Sequence, residues 1–145
     1  GPMISPKSYR EIIKPYHRKI VEKAKELADV KVVLHSDGSI YSVIPDLIEI
    51  GVDAINPIQH GLGNVKDMDP ERLKREFGGD LALWGGIDTS RVLPFKSPED
   101  VEKEVKKRID QMGKTGYVIA SVHNVQAEVP PENVRAMLEA ANKYR

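Results

Sequence analysis

Three of the four histidines in this chain stand where an aliphatic run stops. His35 ends KVVLH and is followed by Ser36-Asp37-Gly38, His60 ends AINPIQH, and His123 follows YVIASV and precedes Asn124. Imidazole and carboxylate groups do two kinds of chemistry near neutral pH: they move protons, and they hold hard or borderline metal ions. His35 and Asp37, one residue apart, can both reach a divalent ion, with His123 as a third ligand and water as a fourth. Asp37-Gly38 also fits plain turn chemistry, the carboxylate bonding its own backbone while glycine supplies a positive φ. The chain has no cysteine. Disulfides and thiolate chemistry are excluded, and His, Asp, Glu and water remain as the metal ligands.

A second group follows the run LALW. Asp88, after Gly85-Gly86, can meet a polar substrate or cap a tight turn, and the glycines would let backbone N–H groups approach such a ligand. Trp84 suits the core or the wall of a cavity. Arg91 can hold a carboxylate through two parallel hydrogen bonds or lie on the surface. His60-Gly61-Leu62-Gly63-Asn64 suits a loop over the same rim, but it lacks the glycine pattern of a phosphate-binding turn. His17, away from these runs, reads as an ordinary surface histidine.

Strand ends that carry chemistry require strands and something to cover them. Four apolar runs, 31–35, 54–58, 81–84 and 117–122, are each followed by helical patterning. Val43, Ile44, Leu47 and Ile48 mark the first helix, which closes at Gly51. Asp69-Pro70-Glu71 opens the second, which ends at Gly78-Gly79. Ser97-Pro98-Glu99-Asp100 opens the third as cap, proline and acidic first turn, with Gly113 or Gly116 at its end. Pro130-Pro131-Glu132 opens the last. Another helix, from Ser5-Pro6 to about Ala28, precedes the first strand. Ile12, Ile13, Tyr16, Ile20, Ala24 and Leu27 give it an apolar stripe, and Pro15 predicts a kink or break near Lys14.

Apolar strands separated by helices imply a parallel sheet covered on both faces. The order α(βα)4 fits a small open α/β sheet or half of a (βα)8 TIM barrel, and both architectures put functional groups at the carboxyl ends of the strands. The length of 145 residues suits one domain. Gly1-Pro2 reads as a tag remnant ahead of Met3, so the domain is placed at 3–145. Lys plus Arg equals Asp plus Glu at 22 each. No global field draws the chain to nucleic acid or to an anionic membrane. No apolar run approaches the ~18 residues of a membrane span, and a cytoplasmic location is expected. The Lys/Glu run 99–107 reads as a solvated helix face.

The phrases ISPKSYREIIKPYHRKI, VVLHSDGSIYSVIPDLIEIGVDAINPIQ, MDPERLKREFGGDLALWGGID and YVIASVHNVQAEVPPENV resemble the C-terminal half of the uroporphyrinogen decarboxylase superfamily, especially its methyltransferase-like branch. The resemblance runs from Ile4 to Tyr144. It implies the last four strands of a (βα)8 barrel, with the other half expected before Ile4. A lone half would expose two sheet edges and a barrel interior, so closure to a full barrel as a homodimer, or pairing with that other half, is expected.

Two activities follow from the resemblance. Family decarboxylases act on a tetrapyrrole without a cofactor, and a histidine near their last strand has His123 as its counterpart here. The methyltransferases use zinc to activate a thiol, with a corrinoid protein as co-substrate. Their His-x-Cys pair corresponds to His35-Ser36-Asp37, and their later cysteine falls near His123. With aspartate and histidine in place of both cysteines, ligand charge and Lewis acidity differ. The alternative is a self-assembling half-barrel or interaction module without activity. The expected site comprises His123 and Asp88 as catalytic groups, His60, Trp84, Gly85, Gly86, Arg91 and Asn124 at the substrate, and His35, Asp37 and His123 at the metal.

Overall fold

The computed structural model describes residues 4–60 and 66–145. Its sheet has four parallel strands in the order β1-β2-β3-β4: β1 (Val33–His35), β2 (Ala54–Asn56), β3 (Ala82–Ile87) and β4 (Tyr117–Ser121). Each strand pairs with the next in sequence, with a helix between them, so the chain advances one βα unit at a time as in a barrel wall. The His60–Asn64 loop foreseen in the sequence extends past His60 into residues outside those described, as does Met3 with the tag remnant.

The helices start and stop where local chemistry dictates. Asp69 caps α4 (Pro70–Phe77) by accepting the Arg72 N–H at 2.9 Å. Ser97 caps α5 (Pro98–Met112) through the Asp100 N–H, and Gly113, at φ +75°, ends it. These are the side-chain acceptor at the start and the glycine at the end that satisfy orphan backbone groups. α3 (Ile44–Glu49) is short and entered through a 3₁₀ turn, and α6 (Pro131–Tyr144) follows Pro130.

The opening helix is neither broken nor sharply interrupted at Pro15. α1 (Pro6–Ser8) passes through a π-helical turn, Tyr9–Ile13, into α2 (Lys14–Leu27). The Lys14 N–H bonds Tyr9 O, one residue wider than an α turn. The irregularity thus falls one turn ahead of the proline as a π-bulge. The apolar stripe is mostly turned outward: Ile12, Tyr16, Ile20 and Leu27 are each more than 60% exposed, Ile13 and Ala24 are half-buried, and the buried residues of the helix are Tyr9 and Val21, which lie off the stripe.

Among the described residues the sheet is covered on one face only, which corrects the expectation of two covered faces. Register puts Leu34, Ile55, Leu83 and Tyr117 on one side, where Ile55 and Leu83 are fully buried beneath Ile44, Leu47, Leu73 and Met112. The same register puts His35 beside Asn56 and Trp84 beside Val118 on the opposite side. There, Val33 and Val118 are each 43% exposed. Among the described residues, no further strand lies beside either edge strand, β1 or β4.

β3 also runs further than expected, through Gly85 and Gly86 to Ile87. Both glycines have positive φ, +112° and +101°. A Cβ on Gly85 would stand 3.1 Å from the Ile58 nitrogen, and one on Gly86 would stand 3.0 Å from the Tyr117 hydroxyl. The pair therefore lies within the strand, not in a turn after it, and its lack of side chains lets neighbouring backbone and Tyr117 close in.

Candidate metal centre

His35, Asp37 and His123 come together at the carboxyl end of the sheet. One ligand atom from each lies within 4.8 Å of the others. His35 Nε2 is 3.3 Å from Asp37 Oδ1, and His123 Nδ1 is 3.5 Å from the same oxygen. Ligand atoms ~2.0–2.1 Å from a tetrahedral ion stand roughly 3.3–3.4 Å apart, so two edges of the cluster already have zinc-like length. Two imidazoles and one carboxylate form a donor set suited to that ion, with a fourth position for water. The residues present fit the metal that the sequence suggested.

The surroundings orient these ligands. His35 ends β1 beside Asn56, and its Nδ1 donates to Asn56 Oδ1 at 2.6 Å, leaving Nε2 as the lone-pair nitrogen of the neutral ring. A metal-binding histidine commonly has such a partner on its other nitrogen. On the other side, His123 Nε2 is 3.3 Å from Gln59 Nε2, and buried Gln59 accepts the Gly38 N–H through Oε1 at 2.7 Å. Asn56 and Gln59 were not singled out in the sequence. Their signal was present as polar residues inside the otherwise apolar stretch 54–59.

Two hollows meet at His123. One, about 530 Å³ and open to solvent, is lined by His35, Asn56, Trp84, Ala120, His123 and Asn124 among others. Its size is that of a small-molecule site. Trp84 is thus a wall of the open side, and Asn124 lies at its rim. The other is only about 10 Å³, lined by Gln59, His60, Asp88, Thr89, Ser90, Val122 and His123. That volume is at the lower limit for a single water molecule.

The remaining predicted residues have structural occupations. Asp88 Oδ1 accepts the Ser90 and Arg91 N–H groups at 2.7 and 2.8 Å, capping the turn after β3. Arg91 contributes that N–H and does not line either hollow. His60 Nε2 donates to Gly86 O at 2.7 Å, and burial pushes its pKa below the ordinary histidine range. Gly85 O accepts the Tyr117 hydroxyl, so both glycine carbonyls are engaged inside the fold. His17 meets Tyr9 at 3.3 Å and, with His35 and Asp37, lines a further hollow of about 430 Å³ on the helical side of the rim.

Comparison with known proteins places the chain, by sequence and fold, among relatives. A family model described as Uroporphyrinogen decarboxylase (URO-D) matches residues 1–144. A uroporphyrinogen decarboxylase of Dechloromonas aromatica is 31% identical over 150 residues, covering 99% of this chain and 39% of that relative. One from Pseudoalteromonas atlantica is 28% identical with the same coverage. Among solved structures, a methyltransferase from Methanosarcina mazei superposes with a TM-score of 0.77 at 20% identity, over 97% of this chain and 38% of that one. At that identity the likeness is one of fold. The chain spans about two fifths of the length of the curated relatives it matches, and its four-stranded parallel sheet matches half of a TIM barrel.

Proposed function

This chain belongs to the uroporphyrinogen decarboxylase family, and on that premise we propose that it is the metal-bearing half-barrel of a methyltransferase-like enzyme. The observation that carries the proposal is the meeting of His35 and His123 on one Asp37 oxygen, at 3.3 and 3.5 Å. When bound, zinc supplies a Lewis acid that lowers the pKa of a nucleophile. The protein's own residues do the rest. Asn56 orients His35, Asp37 brings the negative charge, and Trp84 and Asn124 border the cavity in which a substrate lies against the rim. A corrinoid protein is the proposed methyl carrier in that reaction.

The exposed Val33 and Val118, the exposed Ile12, Tyr16 and Ile20, and two unpaired strand edges support a second part of the proposal. A second copy, with its β4 against β1 and its β1 against β4, would pair both edges and enclose the 530 Å³ hollow. On this account the single unit is inactive until that side is closed. Cofactor-free decarboxylation of a tetrapyrrole is the second reading, favoured by the curated relatives that carry that name. In it His123 contacts substrate and no metal is held.

Titration calorimetry with zinc separates the two. The metal proposal expects binding that His35→Ala together with His123→Ala abolishes. Unchanged affinity in the double variant would sink it.

A further inference from the structure

The hydrogen bonds around His123 set a condition on metal binding. Gln59 Oε1 is held by the Gly38 N–H at 2.7 Å, which fixes the direction of the amide and turns its Nε2 group toward His123 Nε2, 3.3 Å away. An amide N–H can only donate, so His123 Nε2 must accept. In the neutral ring the proton then sits on Nδ1, the nitrogen 3.5 Å from Asp37 Oδ1. Nδ1 is also the nitrogen that faces the other two ligands. A protonated Nδ1 has no lone pair for a metal.

We infer that Gln59 is a tautomer lock: it keeps the proton of His123 on the metal-facing nitrogen, and ion entry requires that proton to move to Nε2. The inference rests on the metal-binding proposal for its consequence, though not for its hydrogen-bond geometry. The exchange balances within one neutral ring, Nδ1 losing a proton and Nε2 carrying one. For Gln59 to remain the partner of an Nε2–H, its amide must turn over and present Oε1. That turn places an amide N–H against the Gly38 N–H, so the Gly38 bond is lost. Gly38 directly follows the ligand Asp37. Metal entry with Gln59 retained as the Nε2 partner is therefore coupled to release of the Gly38 bond beside Asp37, and Gln59 acts as a positioning residue on both sides of the site.

A glutamate at position 59 removes the conflict, because one oxygen can accept from Gly38 while the other accepts from His123 Nε2–H. A methionine of similar length removes the donor without adding charge. Long-range ¹H–¹⁵N NMR of the metal-free protein reads the tautomer directly. Wild type is expected to show His123 Nδ1 protonated and Nε2 bare, and Gln59→Glu the reverse. Zinc affinity should then rise about tenfold or more in Gln59→Glu and also rise in Gln59→Met. A residue that merely supported the site would make Gln59→Met bind more weakly. A wild-type spectrum with Nε2 protonated, or weaker zinc binding by Gln59→Met, overturns the lock. The predicted tautomers with no zinc binding by any variant would leave the lock standing and remove the metal proposal instead.

Discussion

The two faces of the sheet are made from the same strands and end in opposite states. On the helical face, Ile55 and Leu83 are fully buried, and the layer continues through Ile87, Val101 and Val105. On the other, Val33 and Val118 remain 43% exposed beside His35, Asn56 and Trp84. One face is a finished core. The other leaves apolar side chains partly exposed beside polar groups. A parallel sheet is ordinarily buried on both sides, so the difference separates the face that holds the core from the face on which the proposed closure and binding depend.

The largest test of that contrast is in the finished face. Leu83→Ala should lower the free energy of unfolding by about 2–5 kcal/mol, because a fully buried side chain leaves a cavity. Chemical denaturation measures it, and a loss under about 1 kcal/mol would mean that the core is looser than described. Next comes the close approach within β3. Gly86→Ala puts a methyl 3.0 Å from the Tyr117 hydroxyl at φ +101° and should cost about 1–3 kcal/mol. A neutral outcome would remove the packing account of the glycine pair.

A smaller effect lies where the opening helix is tied to α3. Burial raises the pKa of Asp46, but hydrogen bonds from Lys14 at 2.7 Å and Arg10 at 2.9 Å outweigh it and hold the carboxyl below its usual range. A depressed folded-state pKa contributes stability above the unfolded value and loses it as pH falls through the folded one. The advantage of wild type over Asp46→Asn in denaturation midpoint should therefore be flat near neutrality and shrink below about pH 4. An advantage that grows in acid would contradict the assignment. The smallest effect on folding belongs to the open face. Val118→Ser should change unfolding of the single unit by only about 0.5 kcal/mol yet weaken self-association in sedimentation. Undiminished association would show that this face is not the seam.

The sequence made much of the helical face legible. Ser97 and Asp69 cap the helices that their types announced, and Gly113 ends α5. Those signals are local, set by side chains that reach two or three residues away. His35, Asp37 and His123 were also legible as strand-end polar residues, and the fold brings them together. What escaped was non-local. Gly85 and Gly86 look like a turn in one dimension, but the backbone of Ile58 and the hydroxyl of Tyr117 fill the space beside them. His60 lines the small hollow beside His123, and what the sequence did not show is its bond to Gly86 O on the next strand. Gln59 escaped because its role depends on two partners, Gly38 and His123, drawn from different strand ends.

The most direct test of the central claim is a native mass spectrum of the purified chain after equilibration with zinc, repeated after chelation. The account predicts a dimer near twice the 16.2 kDa chain mass, carrying one zinc per subunit that chelation removes. A monomer of unchanged mass in both spectra would contradict it, leaving the rim histidines without a metal and the open face without its second copy.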